Sequence, residues 1–252
     1  MSHSSLPIVI PDEPRTEGPA DAVRSNYKGI VSLRPHFIQS SDHRTLSSLA
    51  RITFCALQIY PEEYNGHFDS LMISRLEIRS AVQAVAQKIH QDYAGIRPVF
   101  VCVLKGANPF FQHVLEALQE LKHGYRTEYL RASSYHGTSS TGAVTTSGGL
   151  QYEALENQHV ILIEDIVDTG TTLSHLIPEI LGRVSVKSLE VCTLLEKRLD
   201  QPPKVDAKYI CFSIPNHFII GYGLDYNELY RDLRDIWVIS QAGIDFDRSS
   251  LD

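Results

Sequence analysis

The stretch from Val160 to Leu173 constrains this chain more than any other. Val160 to Ile163 is a short unbroken apolar run, as expected of a strand covered on both faces in a parallel sheet. Glu164 and Asp165 end the run, and Asp168 follows three residues on. Thr169, Gly170, Thr171 and Thr172 come next, before an apolar pattern resumes at Leu173. Ligands of open α/β sheets bind outside the carboxyl ends of strands. Threonine hydroxyls and backbone N–H groups leading into a helix suit a phosphate. The carboxylates beside them repel that phosphate, so they must meet hydroxyls, a cation or a proton to be removed. A phosphorylated ribose satisfies both halves. The ordinary alternative is a solvated acidic turn with Thr172 as a helix cap.

With 252 residues, 43% of them hydrophobic, the chain can fill an ample core. Its net charge of -7 argues against nucleic-acid or anionic-membrane partners. Cys55, Cys102, Cys192 and Cys211 show no zinc spacing. The last three sit in apolar runs and read as buried thiols of a reducing compartment. The polar N-terminus is not expected to be a signal peptide, and no apolar stretch is long enough to span a bilayer.

Residues 1–55 read as a weakly structured segment, with apolar islands at Leu6–Ile10 and Ile30–Leu33 and a short helix around Leu46–Cys55. Residues 56–252 form the expected core. Ser74 and Glu77 make a capping box before a helix that buries Ile78, Ala81, Val82, Val85 and Ile89. Val99–Leu104 is a second apolar strand, ending in Lys105-Gly106. Asn108 is expected to cap the next helix, with Pro109 at its first position. Strands are expected at Glu128–Ala132, Ser188–Leu195, Tyr209–Ile214, Phe218–Tyr222 and Ile236–Ser240. Residues 133–149 are nearly all Ser, Thr, Gly and small residues, and read as a mobile lid or a linker. Pro178 should kink or shorten the helix after the central loop. Alternating strands and helices predict an α/β fold with a mostly parallel twisted sheet flanked by helices.

Five separated segments together resemble the hypoxanthine-guanine phosphoribosyltransferases: Leu104-Lys105-Gly106, Ser134-Tyr135 with Ser140-Thr141-Gly142, Ile163–Thr172, Leu194–Arg198 and Phe218–Asp232. The similarity runs from about Tyr60 to Ile244. It implies the type I phosphoribosyltransferase fold, with a small hood over the purine site. It also implies transfer of the 5-phosphoribosyl group from phosphoribosyl pyrophosphate (PRPP) to N9 of hypoxanthine or guanine. The products would be IMP or GMP and pyrophosphate.

The resemblance assigns roles residue by residue. Glu164 and Asp165 would hold the ribose hydroxyls and, with Asp225, serve Mg2+. Asp168 would be the general base for the purine N7 proton, and Thr169, Gly170, Thr171 and Thr172 would hold the 5′-phosphate. Lys105 and Gly106, through a cis peptide after Leu104, would bind pyrophosphate together with Arg231. Lys197 would donate to the purine O6, Phe218 would stack on the ring, and Ile219 and Asp225 would offer backbone groups to the base edge. Ser134 and Tyr135 would belong to the lid. Each has a plainer alternative: turn acids, a strand-end lysine reaching solvent, a core phenylalanine, a surface ion pair between Arg231 and Asp232.

The resemblance further implies a cytoplasmic homodimer or homotetramer. Four features depart from the pattern. Thr171 stands where some members carry Lys, His217 precedes Phe218, Pro178 lies in the family helix, and residues 15–53 read as an insertion. A PRPP-binding protein without turnover and an adenine-specific enzyme are the competing readings.

Overall fold

In a computed structural model, the structure describes residues 7–12, 60–134, 144–146 and 149–246. The insertion, the helix expected near Leu46–Cys55, Cys55 and Tyr135 lie outside them. The chain order is β1 (Ile8–Val9), β2 (Phe68–Ile73), α1 (Arg75–Asp92), β3 (Val99–Leu104), α2 (Asn108–Glu120), β4 (Arg126–Ser134), β5 (Val144–Thr146), β6 (His159–Val167), α3 (Thr171–Arg183), β7 (Ser188–Lys197), β8 (Tyr209–Ile214), β9 (Ile219–Ile220), β10 (Ile236–Ile239) and α4 (Gln241–Ile244).

The main sheet runs β1-β8-β7-β6-β3-β4-β5. Its pairings are parallel except for β5, which is antiparallel to β4. Alternation along each strand builds two cores. Phe100, Cys102, Ile161, Ile163, Cys192 and Leu194 face α1 and α2. Val99, Val101, Val103, Val160, Leu162 and Val191 face Leu173, Leu176 and Ile180 of α3. Helices therefore cover both faces, as the continuous apolar strands require. β2, β10 and β9 make a separate antiparallel sheet, the hood. Its own core holds Phe68, Leu71, Tyr230, Leu233 and Trp237.

The expected capping box is present: Ser74 Oγ accepts from the Glu77 N–H, and the Glu77 carboxylate accepts from the Ser74 N–H at 2.8 Å. The second helix starts differently. Ala107 is its N-cap and Asn108 its first residue, with no side-chain cap, because the chain already turns at Lys105, whose carbonyl accepts the Asn108 N–H at 3.2 Å. The helix containing Pro178 is not cut there; it continues to Arg183. The expected strand from Phe218 to Tyr222 shrinks to Ile219–Ile220, because Gly221, Tyr222 and Gly223 all take positive φ and carry the chain out of the sheet. β2 was not anticipated from the sequence. β1, expected in a weakly structured segment, pairs with β8, and Arg198 ties it down by donating to the Ile10 carbonyl at 2.6 Å.

Trp237 is 1% exposed and lies 5.1 Å from Phe68 in a stacked pair. Trp237→Ala should cost about 3–5 kcal/mol. Thermal unfolding should show it as a Tm drop of roughly 2–4 °C per kcal/mol.

Candidate active site

The site begins where one strand ends sooner than its neighbour. β3 pairs with β6 only as far as Cys102 with Ile163. β6 pairs with β7 further, to Val167 with Glu196. Glu164 and Asp165 therefore stay in a strand whose other neighbour has turned away at Leu104-Lys105-Gly106. The chain after β3 enters α2 on one face, and that after β6 enters α3 on the other. Such a divergence opens the crevice in which α/β sheets bind ligands.

Glu164 is 8% exposed. Burial, and then the charge of Asp165, push its carboxyl well above the usual range. Asp165 is raised too, chiefly by burial, with Arg231 opposing. The Leu104–Lys105 peptide is cis. A Cβ on Gly106 would collide with the Asp165 carboxylate, and a Cβ on Gly223 with the Gly106 carbonyl. Only glycines let these three loops close on one another.

Asp168 follows β6, and Lys197 ends the neighbouring β7. Lys197 Nζ donates to Asp168 Oδ2 at 3.0 Å. The Lys197 side chain is 11% exposed and that of Asp168 46%. The lysine stem is thus enclosed and the carboxylate open to a ligand. Gly170, at φ 71, starts α3 without any side-chain cap. The first-turn N–H groups have no partners within the helix.

Arg231 donates to Asp225 Oδ1 at 2.7 Å, to the Gly223 carbonyl at 2.8 Å and to Glu228 at 3.1 Å. Glu228 also binds Lys105 at 2.7 Å. These two cations hold its carboxyl below its ordinary value. Glu228 was missed in the sequence; only its place in the Phe218–Asp232 segment could have pointed to it. Phe218, expected to stack on a ring ligand, is 52% exposed and meets Tyr226 edge-on at 5.4 Å. Ile219 is buried in β9 beside it. Ser134, the last residue of β4, pairs with Val144.

The structure thus brings Lys105, Gly106, Asp165, Asp225 and Arg231 together directly, and joins Asp168 to Lys197. A separate cavity of about 480 Å³ lies behind Arg231, lined by Arg75, Arg79, His113 and Tyr222 among others. Arg231 is the one expected site residue it reaches.

Residues 73–227, more than half of the chain, match the model of the phosphoribosyl transferase domain. The hypoxanthine-guanine phosphoribosyltransferase of Streptococcus pneumoniae is 35% identical over 172 residues, covering 68% of this chain and 93% of that protein. The chain belongs to the hypoxanthine-guanine phosphoribosyltransferase family. The Cricetulus griseus relative of the same name is 32% identical over 189 residues, covering 73% of this chain and 86% of that one. A Staphylococcus aureus hypoxanthine phosphoribosyltransferase structure superposes with a TM-score of 0.66 at 32% identity, covering 74% of this chain and 98% of that one. A Trypanosoma cruzi hypoxanthine phosphoribosyltransferase mutant complexed with the product IMP gives 0.64 at 36%, covering 72% and 95%. The two-sheet arrangement is the type I phosphoribosyltransferase fold.

The raised carboxyl of Glu164 ties stability to pH. An acid whose folded pKa is raised binds its proton more tightly folded than unfolded, so stability falls as pH rises through that range. Glu164→Gln should raise Tm by a few degrees at pH 8 and by less at pH 5, as thermal melts at both values would show. An equal or opposite change at the two pH values would contradict this linkage.

Proposed function

We infer that this chain transfers the 5-phosphoribosyl group of PRPP to N9 of hypoxanthine or guanine in purine salvage, giving IMP or GMP and releasing pyrophosphate. The observation that carries the reading is the Asp168–Lys197 pair, 3.0 Å apart at adjacent strand ends. N7 and O6 are neighbours on one purine edge. A carboxylate beside an ammonium therefore offers an acceptor to N7–H and a donor to O6 in the same plane.

In the forward reaction the bond from ribose C1 to the pyrophosphate oxygen breaks, and the N9–C1 bond forms. Asp168 takes the N7 proton as the ring becomes the nucleophile. Lys197 uses one of its three protons on Asp168 and keeps the others for O6. Adenine presents a 6-amino donor to this ammonium, so the site disfavours it. Phe218 stacks on the ring from the hood, with Ile219 and the backbone at Asp225 along its edge. Thr169 to Thr172 take the 5′-phosphate on hydroxyls and first-turn amides. Lys105, Gly106 and Arg231 take pyrophosphate; Ser134 ends β4, and Tyr135, assigned with it to a lid, lies outside the described residues.

Among the described residues no three His, Cys, Asp or Glu side chains gather as a metal cage. Two adjacent carboxyls whose pKa burial raises do fit a cation arriving with its own oxygen ligands. Mg2+ is commonly held by one or two carboxylates plus substrate phosphates. Glu164 and Asp165 would hold it, Asp225, paired with Arg231 at 2.7 Å, would join them only on giving up that partner, and the ion would neutralise the leaving pyrophosphate. Among the described residues no helix is long and apolar enough to cross a membrane. From membership of the family, and not from that absence, we propose a cytoplasmic homodimer or homotetramer.

Asp168→Asn should lower kcat by about 10²–10⁴-fold while PRPP still binds. Single-turnover rates with calorimetric PRPP affinities test this; unchanged turnover removes Asp168 as the base. Lys197→Ala should collapse the preference for hypoxanthine over adenine, which a buried donor can set as high as roughly 10⁴-fold. An unaltered ratio of kcat/KM values contradicts the assignment.

A further inference from the structure

The loop from Asp168 to Leu173 contains no Lys or Arg, although it is the segment to which we assign the 5′-phosphate. A cation reaches it from elsewhere. The chain between β7 and β8 folds back so that the Lys204 N–H donates to the Thr169 carbonyl at 3.0 Å. The same segment covers Gly170: a Cβ there would stand 3.1 Å from the Lys204 nitrogen and 3.2 Å from that of Val205. Lys204 is thereby fixed on the loop by its backbone, before its side chain is considered.

Lys204 Nζ then donates to Thr171 Oγ1 at 3.2 Å. Thr171 Oγ1 lies 2.9 Å from Thr169 Oγ1. The ammonium repels the Thr171 hydroxyl proton and turns it towards Thr169. The Thr169 oxygen then accepts, and its own proton is left to donate. The chain of hydroxyls therefore points its last donor away from the lysine. Lys204 makes no ion pair among the described residues, yet it sits at the N-terminal end of α3, where a helix already carries partial positive charge. Two positive centres around a hydroxyl relay are mutually unfavourable until an anion joins them.

We propose that Lys204 is a positioning residue for the 5′-phosphate of PRPP and of the nucleotide product. It acts through the Thr171 and Thr169 hydroxyls and supplies the charge that the loop lacks. The inference rests on the assignment of the phosphate to Thr169–Thr172, so its test must separate the two.

The experiment measures dissociation constants for IMP and for inosine, which has the same base and sugar without the phosphate. The proteins are the full chain, Lys204→Met, Lys204→Arg and Thr169→Ala. Lys204→Met should weaken IMP on the order of three- to tenfold, leave inosine unchanged, and lose the difference as salt is raised. Lys204→Arg should restore most of the IMP affinity. If Lys204→Met weakens IMP and inosine alike, its role is structural and the proposal fails. If Lys204→Met binds IMP as the parent does while Thr169→Ala does not, the proposal fails and the phosphate site stands. If neither variant alters IMP binding, both fall.

Discussion

Two neighbouring carboxylates at the covered end of a central parallel strand set the terms for the rest of this molecule. Burial raises both Glu164 and Asp165 towards protonation, with the charge of Asp165 adding to it at Glu164 and that of Asp225 at Asp165. A fold selected for stability alone would not keep such a pair, because buried acids without compensation cost free energy. The pair is kept in place by backbone, through the contact of Gly106 with Asp165 and of Gly223 with Gly106. The hood and the sheet are thus joined at the point where the acids sit. A ligand bringing sugar hydroxyls and a cation, as proposed, would remove the conflict.

The same logic runs through the charged groups around it. Asp168 holds Lys197, Asp225 holds Arg231, and Glu228 bridges Arg231 and Lys105. Each pair contains at least one group with a proposed substrate contact, held by a protein group of opposite sign. These exposed or half-exposed pairs are individually weak. Their value is geometric: each side chain is already pointed at the site, and exchanging one partner for a substrate oxygen or proton loses little. Acceptor and donor stand at adjacent strand ends because β6 and β7 share a register up to Val167 and Glu196.

Much of this was legible in the sequence, for definite reasons. Val160–Ile163 and Val99–Leu104 are apolar on both faces, and their meaning as buried parallel strands does not depend on distant contacts. The Ser74–Glu77 capping box is local, and it is present as expected. The hood was harder to see. Phe68–Ile73 carries Asp69 and Ser70 inside it, so its pattern is broken, and it becomes a strand through pairing with β10 far along the chain. The strand after Phe218 was overextended because positive φ from Gly221 to Gly223 leaves no apolar signature. Asn108 looked like a cap, but the turn through Lys105 starts the helix one residue earlier. Glu228 and Lys204 take their places from loops that fold back across more than 30 residues, which spacing alone does not encode.

The role proposed for the Asp168–Lys197 pair is to read the O6 and N7 edge of a purine beside a bound phosphoribosyl group. Initial rates of pyrophosphate release, with PRPP, Mg2+ and either hypoxanthine, guanine, xanthine or adenine, test it most directly. Release should be rapid with hypoxanthine and guanine, and slower with adenine by orders of magnitude. Adenine turned over as fast as hypoxanthine, or no release with any base, would contradict it.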